Sequence, residues 1–189
     1  MKIAQAEGLI YLKYLDESGF CLWSPVSYSY IQKGEQKALE QTPRRGRRLS
    51  ILGLWEPLIS FEYGLAIGSF TTESYIKLMN WQAQQAQARL AESGRFTVVV
   101  QDNGSVHTSL QVQAKWSQWQ EQGLYLFFLP KYCSQMNPIE PEWHQLKTHE
   151  LAGRMFEDEY DLALAVIEGV EHRGQQGQYS TERFKFNSS

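Results

Sequence analysis

In the stretch FTVVVQDNGSVHTS, Phe96 to Ser109, an unbroken apolar run ends at a single carboxylate, Asp102, and the start of a helix follows. Residues 98–100 are all valine and show no alternation of apolar and polar side chains, so both faces of this strand should be covered. Such a strand lies inside a sheet that has helices on both faces. In open α/β folds, these strands direct their last side chains into the crevice where ligands bind. Asp102 is therefore the first candidate functional residue.

The composition of the whole chain indicates one globular domain. Its 189 residues are 42% hydrophobic and include six Trp, which is enough to fill a sizeable core. We expect a cytoplasmic protein, because the chain has no long apolar run and begins without the apolar core of a signal peptide. Cys21 and Cys133 belong to no paired motif, which predicts reduced thiols rather than a disulfide framework or a cysteine zinc site.

The charges are unevenly distributed along the chain. A net charge of −3 ordinarily argues against a polyanionic partner. One short segment, however, contains four arginines: Arg44, Arg45, Arg47 and Arg48. Arginine offers a planar fork of donors that matches phosphate, so this cluster is a candidate DNA contact. A solvated loop is the alternative interpretation on charge alone.

The order of the predicted elements indicates a mixed sheet with helices on its faces. Three strands precede the first long helix, and two more strands alternate with the later helices. A C-terminal segment rich in Gly, Gln and Ser, residues 173–189, is expected to form a mobile tail. The predicted strands cover residues 9–15, 49–55, 61–67, 96–101 and 124–129, and the predicted helices cover residues 72–93, 105–122, 141–151 and 159–172.

Three carboxylates stand at the ends of elements in this scheme. Asp16 follows the first strand, Asp102 follows the fourth, and Glu140 heads the helix after the fifth. If the first and fourth strands are neighbours, their ends lie about 5 Å apart. Oxygen-only ligands suit Mg²⁺ or Mn²⁺ better than zinc, and a pair of such ions can promote cleavage of a phosphodiester. Each acid alone is also typical of a turn or a cap, so position alone leaves both interpretations open.

Three blocks of sequence resemble the signature blocks of DDE transposases, most closely the bacterial insertion-sequence branch of the Tc/mariner superfamily. They are YLDESGF at 14–20, VVVQDNGSVHTS at 98–109 and LPKYCSQMNPIEPEWHQLK at 129–147. The resemblance implies a ribonuclease H-like fold, with a five-stranded mixed sheet and helices on both faces. It also implies that Asp16, Asp102 and Glu140 are catalytic acids that bind two Mg²⁺ or Mn²⁺ ions.

The same resemblance implies an activity and a set of partners. The activity is DNA strand cleavage at transposon ends, followed by joining of the freed 3′ hydroxyl to target DNA. Double-stranded DNA is the implied partner, and a homodimer on paired ends is expected. Family members carry helix-turn-helix modules before the catalytic domain, whereas here Met1 lies only fifteen residues ahead of Asp16. We therefore expect residues 1–172 to be the catalytic domain, with end recognition absent or supplied by a separate DNA-binding chain.

Residues near the acids have both functional and structural interpretations. Asn103 is expected either to orient Asp102 or contact DNA, or to cap a helix. His107 resembles a histidine of the family that faces the site, and both it and Lys147 are candidate DNA contacts. Trp143 is expected to pack its helix on the sheet.

Two alternatives to an active transposase remain open. One is a ribonuclease H-like metal-dependent nuclease that acts on a hybrid or a DNA junction. The other is an inactive relic that binds DNA or a partner protein. The second is motivated by the expected absence of an end-recognition module and by Gln101, which stands before Asp102 where the family usually has an apolar residue.

Overall fold

The computed structural model describes residues 1–22, 47–130 and 136–186, which form a mixed α/β structure. A short π-helical segment, Leu146–Glu150, continues one of the helices. The strands are β1 (Ile10–Phe20), β2 (Leu49–Glu56), β3 (Ser60–Ile67), β4 (Phe96–Gln101), β5 (Leu124–Phe128) and β6 (Ser180–Phe184). The helices are α1 (Lys2–Ala6), α2 (Thr72–Ser93), α3 (Leu110–Gln113), α4 (Trp116–Glu121), α5 (Glu140–Gln145) and α6 (Glu159–Gly177). No helix of these residues combines the length and apolar character needed to cross a membrane.

One sheet organises the molecule, with its strands in the order β5-β4-β1-β2-β3-β6. The first three strands of the chain pair antiparallel to one another. In contrast, β4 runs parallel to β1, β5 runs parallel to β4, and β6 runs parallel to β3. The central strand β1 therefore lies between β2 and β4, and it points toward the same edge of the sheet as β4.

Alternating side chains along β1 divide the core into two clusters, one on each face of the sheet. Leu12 and Tyr14 belong to the cluster that includes side chains of α5 and α6. Leu15 belongs to the cluster that includes side chains of α2, α3 and α4. Because both faces are covered, β1 and β4 carry long apolar runs, as buried strands do.

The longest helix, α2, has the bounds that its sequence predicts because both of its ends carry cap signals. At the start, the Thr71 side chain accepts a hydrogen bond from the Ser74 backbone N–H at 3.2 Å. At the end, Gly94 adopts a left-handed conformation with φ 71° and donates its N–H to the Leu90 carbonyl at 2.8 Å.

A charged cluster is buried between α2 and the sheet. The Lys13 ammonium lies 2.7 and 2.8 Å from the two carboxylate oxygens of Glu62, and it also donates to the Gln82 side chain at 2.8 Å. Both members of the ion pair are almost completely buried. Burial lowers the pKa of Lys13, although the Glu62 charge acts in the opposite direction.

The C-terminal segment differs from its prediction. The described sheet has six strands rather than five, because β6 pairs with the edge of β3. In addition, α6 continues past residue 172 to Gly177. The prediction of a mobile tail is therefore wrong for residues 173–186. The composition of this segment is polar, but a sixth strand at a sheet edge needs only backbone partners and a few apolar contacts.

The helix predicted over residues 105–122 is also different in the structure. Residues 105–108 form a turn, in which the backbone N–H groups of His107 and Thr108 donate to the Gly104 carbonyl. Two short helices, α3 and α4, then replace the single long helix. Ser109 caps the first of them by accepting from the Val112 N–H. The turn folds back on Asp102, and that contact decides the local structure.

Candidate active site

Asp16 lies within β1. The sequence had predicted that it would follow the end of this strand. The strand continues to Phe20 because its backbone stays paired with β2, and Asp16 stands opposite Gly53 in that pairing. The apolar run stops at Leu15, and that pattern alone suggested an earlier end. On the other side of β1, Tyr14 pairs with Val100 of β4. Asp16 and Asp102 each stand two residues beyond this last pair, and the charge of Asp102 acts on Asp16.

Asp102 directly follows the last residue of β4, as predicted. Its Oδ1 atom lies 2.8 Å from Nδ1 of His107 and accepts the Gly104 backbone N–H at 2.9 Å. The hydrogen bond to His107, followed by that to Gly104, lowers the pKa of Asp102 although partial burial opposes the shift. The Asp102 side chain remains 50% exposed, so its carboxylate is oriented on one side and open on the other.

His107 is a buried partner of Asp102. Its ring packs against that of Tyr75, with 4.8 Å between the centroids. The Tyr75 hydroxyl in turn donates to Gln101 at 2.8 Å. Gln101, the residue that departs from the family pattern, thus lies in the core and belongs to the support of Asp102.

Glu140 is the first residue of α5, and Pro141 follows it in the first turn. The segment leading into this helix is attached to β1, because the Asn137 side chain donates to the Leu15 carbonyl at 2.9 Å. Further along α5, the Trp143 indole N–H donates to Oδ2 of Asp16 at 2.9 Å. The segment that carries Glu140 is thus attached to β1 on both sides of Glu140, at Leu15 and at Asp16.

The three acids share one electrostatic environment. Burial, followed by the negative charge of Glu140, raises the pKa of Asp16 to about 6, and the charge of Asp102 adds to the effect. Hydrogen bonds from the Glu17 backbone and the Trp143 indole only partly oppose this shift. Within residues 1–22, 47–130 and 136–186, no three His, Cys, Asp or Glu side chains are gathered tightly enough to hold a metal ion. The carboxylates are therefore coupled by charge without forming a closed ligand set.

The predicted DNA-contacting residues fall in different places. Asn103 is exposed, and its amide donates to the Leu129 carbonyl, so it joins the ends of β4 and β5 and does not cap a helix. Lys147 is exposed and lies 5.7 Å from the centre of the Phe20 ring. His107 supports Asp102 instead of standing on a free surface.

Two of the four clustered arginines, Arg44 and Arg45, lie outside the described residues. The other two are exposed and contact acidic side chains. Arg48 lies 3.4 Å from Glu17, and the backbone N–H of Arg47 donates to Glu159 at 2.8 Å. Arg48 therefore lies near Asp16, because its partner Glu17 is the residue that follows Asp16 in β1.

Comparison with protein families matches residues 11–163 to the DDE superfamily endonucleases. The chain belongs to this family. The match spans all three acids and most of the sheet, so the prediction of a DDE protein is confirmed. Comparison with curated protein sequences found no significant match.

Several solved structures resemble the DDE chain in fold. The pre-cleavage Mos1 transpososome superposes with a TM-score of 0.66 at 14% sequence identity, covering 94% of this chain and 57% of the Mos1 chain. The Mos1 mariner paired-end complex with Mn gives 0.64 at 15% identity, covering 94% and 56%. The catalytic domain of Mos1 mariner transposase gives 0.58 at 11% identity, covering 94% and 84%.

These matches confirm the predicted ribonuclease H-like α/β fold of the DDE chain, with six described strands in place of five. The chain spans little more than half the length of the Mos1 chains in the two complexes. The roles of Asp16, Asp102 and Glu140 remain predictions.

Sequence reasoning about the DDE chain missed two features of the site. Trp143 was expected only to pack its helix, but it also contacts Asp16. Gly53 carried no signal at all, although it stands opposite Asp16 in β2. A tryptophan three residues after Glu140 was the available hint for the first. For the second, the pairing of β1 with β2 had to be known.

Proposed function

We propose that this chain is the catalytic domain of a Tc/mariner-type transposase, which cleaves DNA strands and joins the freed 3′ hydroxyl to target DNA. One observation carries the proposal: three carboxylates from β1, the end of β4 and the start of α5 are close enough for their charges to interact. Membership of the DDE superfamily endonucleases and the fold shared with Mos1 support the same activity.

We further propose that Asp16, Asp102 and Glu140 hold divalent metal, in the form of two Mg²⁺ or Mn²⁺ ions. Mos1 paired-end complexes have been solved with Mn and with Mg. The donor set fits hard cations, because it consists of carboxylate oxygens whose mutual repulsion a cation relieves. When bound, such ions lower the pKa of a water and stabilise the charge on the phosphodiester oxygens.

The residues of the chain itself supply orientation. His107 and the Gly104 backbone fix one oxygen of Asp102, which leaves its exposed side for a ligand. The ionised state of that carboxylate is maintained because these hydrogen bonds lower its pKa. Holding reacting groups in a fixed geometry, with charge already in place, is the main protein contribution to phosphoryl transfer.

We propose double-stranded DNA, both transposon end and target, as the partner. Exposed Arg47, Arg48, Asn103 and Lys147 are the described candidates for phosphate contacts, and Arg44 and Arg45 extend the set. A homodimer on paired ends, a separate chain for end recognition and an origin in a bacterial insertion sequence complete the proposal. In that setting the protein acts in the cytoplasm, on the nucleoid.

The test is metal-dependent nicking of supercoiled plasmid by the purified chain. We expect nicking with Mg²⁺ or Mn²⁺ and none in EDTA. Asp102→Asn should reduce the rate by roughly 10²–10³-fold, since loss of a metal ligand removes several kcal/mol of transition-state stabilisation. Glu168→Gln, which changes an exposed acid on α6, should match wild type.

Other results of the same assay separate the alternatives. Equal nicking by wild type and Asp102→Asn would contradict the proposal. Cleavage of an RNA–DNA hybrid in preference to plasmid would favour the ribonuclease H-like nuclease. Retained plasmid binding in a gel-shift assay, without any metal-dependent nicking, would favour the inactive relic.

A further inference from the structure

We propose that Trp143 is a positioning residue, which fixes the carboxylate of Asp16 and ties it to the helix that carries Glu140. This inference rests on the proposed metal-binding function of the acids. It assigns to the tryptophan a role in the geometry of the site, beyond its packing in the core.

The contact is direct and rigid. The indole N–H of Trp143 donates to Oδ2 of Asp16 at 2.9 Å, and the residue is only 3% exposed. The edge of the ring system meets Phe61, with 5.4 Å between centroids and planes at 89°. A buried indole N–H usually finds a hydrogen-bond acceptor, and the acceptor for Trp143 is a carboxylate of the proposed site.

Gly53 makes room for this contact. It pairs with Asp16 across β1 and β2, so a side chain at this position would project from the same face as the Asp16 carboxylate. A β-carbon built on Gly53 would lie 2.6 Å from Cη2 and 2.9 Å from Cζ2 of Trp143. Those distances are shorter than van der Waals contact, so the indole can occupy its place only because residue 53 is glycine.

A second attachment lies on the other side of Glu140. The Asn137 side chain donates to the carbonyl of Leu15, the residue just before Asp16. Glu140 is three residues from Asn137 and three residues from Trp143, and both of these contact β1. The position of α5 along β1 is therefore set from both directions.

A third group prevents α5 from turning about its axis. The carboxylate of Glu142 accepts hydrogen bonds from the Arg173 guanidinium at 2.6 and 3.1 Å, and from the Tyr179 hydroxyl at 3.3 Å. Glu142 is thus held by the C-terminal segment, while Trp143, the next residue, is held by β1. Neighbouring residues on different sides of the helix are anchored to different parts of the fold.

This arrangement fixes the orientation of one carboxylate in a site that consists of acids. Carboxylates at close range repel one another, and an unrestrained Asp16 would rotate away before a cation arrives. A hydrogen bond to a ligating carboxylate fixes its orientation in advance, and loss of such a partner typically reduces metal affinity by about 10–100-fold. Trp143 is placed to supply that hydrogen bond.

The first experiment measures Mn²⁺ affinity by electron paramagnetic resonance for wild type, Trp143→Phe and Trp119→Phe. Trp119 is a matched control, because it is also buried and its indole N–H donates to the Asn80 side chain at 2.8 Å, on the opposite face of the sheet. We expect Trp143→Phe to bind Mn²⁺ about 10-fold more weakly or worse. Trp119→Phe should keep wild-type affinity at a comparable loss of melting temperature. Equal affinities for all three proteins would overturn the inference.

The second experiment needs no metal. In a ¹H–¹⁵N spectrum of the full chain, the indole resonance of Trp143 is assigned by its absence in Trp143→Phe. Replacing the charged acceptor, Asp16→Asn, should shift this resonance and leave that of Trp119 in place. An unmoved Trp143 resonance would overturn the inference, whatever the Mn²⁺ affinities are.

Gly53→Ala provides an independent variant, because its β-carbon displaces the indole while Trp143 and Asp16 both keep their own side chains. We expect it to shift the Trp143 resonance and to weaken Mn²⁺ binding, as Trp143→Phe does. If wild type itself binds no Mn²⁺, the proposed function falls, and the inference falls with it. If wild type binds Mn²⁺ and both variants bind equally well, only the inference falls.

Discussion

At the scale of single residues, the ionisation of Asp16 lowers the stability of the metal-free fold. Burial and the Glu140 charge raise its pKa from 3.8 to about 6. The folded protein therefore binds this proton more tightly than the unfolded chain does. The stabilising contribution of the protonated form is fully present below about pH 4 and is lost as pH rises through about 6. At neutral pH, the metal-free protein carries an unfavourable, partly buried charge at Asp16.

Asp16→Asn should therefore stabilise the metal-free protein at pH 7 by about 1–3 kcal/mol, because it removes that charge and keeps the side-chain shape. The gain in free energy of unfolding should shrink toward zero as pH falls below about 4. Urea unfolding at several pH values measures both effects. Glu168→Gln on the surface of α6 is the control and should show neither. A variant less stable than wild type at pH 7 would contradict the raised pKa.

At the scale of elements, the buried pair of Lys13 and Glu62 joins β1 and β3 beneath α2. Each charge has left water and is compensated mainly by the other, with Gln82 of α2 completing the set. A buried pair of this kind adds little net stability, but removing one partner leaves the other charge unpaired. The three elements are thus held in one relative arrangement.

Lys13→Met should lower the free energy of unfolding by about 3–5 kcal/mol, because it leaves the Glu62 carboxylate buried and unpaired. The double variant Lys13→Met with Glu62→Gln should recover much of that loss. Lys77→Met is the control, since Lys77 forms an exposed pair with Glu73 on the same helix α2, and it should change stability by less than about 1 kcal/mol. Equal effects of the two lysine variants, measured by urea unfolding, would refute the buried pair.

Elements with strong local signals were predictable from the sequence. The bounds of α2 follow from Thr71 and Gly94, and the strand before Asp102 follows from its valines. Elements decided by distant pairing were not predictable: β1 continues through Asp16 because β2 lies beside it, and β6 exists because β3 offers an edge.

The same distinction applies to the candidate site. The sequence blocks singled out the three acids as candidates, and the end of β4 was predicted just before Asp102, but Asp16 lies within β1 instead of at its end. The hydrogen bond between Trp143 and Asp16 joins residues 127 positions apart. The space above Gly53 is occupied by the Trp143 ring, which is also distant in sequence. Neither feature is marked by a local sequence pattern, because each forms only when β1, β2 and α5 have come together.

At the scale of the whole molecule, the C-terminal segment supports the site from a distance. β6 covers the edge of β3, and the ring of Phe186 lies over Gly64, 5.5 Å from Phe70 and 4.9 Å from Phe184. Just before β6, Tyr179 and Arg173 hold Glu142 of α5. The segment therefore covers one edge of the sheet and holds the helix that begins at Glu140 in place.

Ending the chain after residue 178 should destabilise the domain and weaken the proposed nicking activity together. The truncation exposes the edge of β3, and an unpaired edge strand promotes association between copies. It also removes Tyr179 from the brace on α5. We expect a lower melting temperature and larger species in size-exclusion chromatography with light scattering.

Phe186→Ala is the milder version of this change. It should lower the melting temperature because it leaves a space over Gly64, while the β6 ladder and the Tyr179 contact remain. The variant should elute at the same volume as wild type in size-exclusion chromatography and keep the wild-type nicking activity. A truncated chain that melts and elutes like the full chain would contradict the role of the segment.

The position of β1 between β2 and β4 also bears on the order in which the strands pair during folding. β1 can pair with β2, and β2 with β3, as soon as the first 67 residues have emerged, but the parallel partner of β1 begins at Phe96. Pairing β1 with β4 brings together residues that are far apart in the chain, and this is slower than forming a local hairpin. Asp16 and Asp102 become neighbours only in that later step. In a nascent or partly folded chain the proposed cation site is therefore incomplete, and the proposed DNA cleavage activity should arise only when folding is nearly complete.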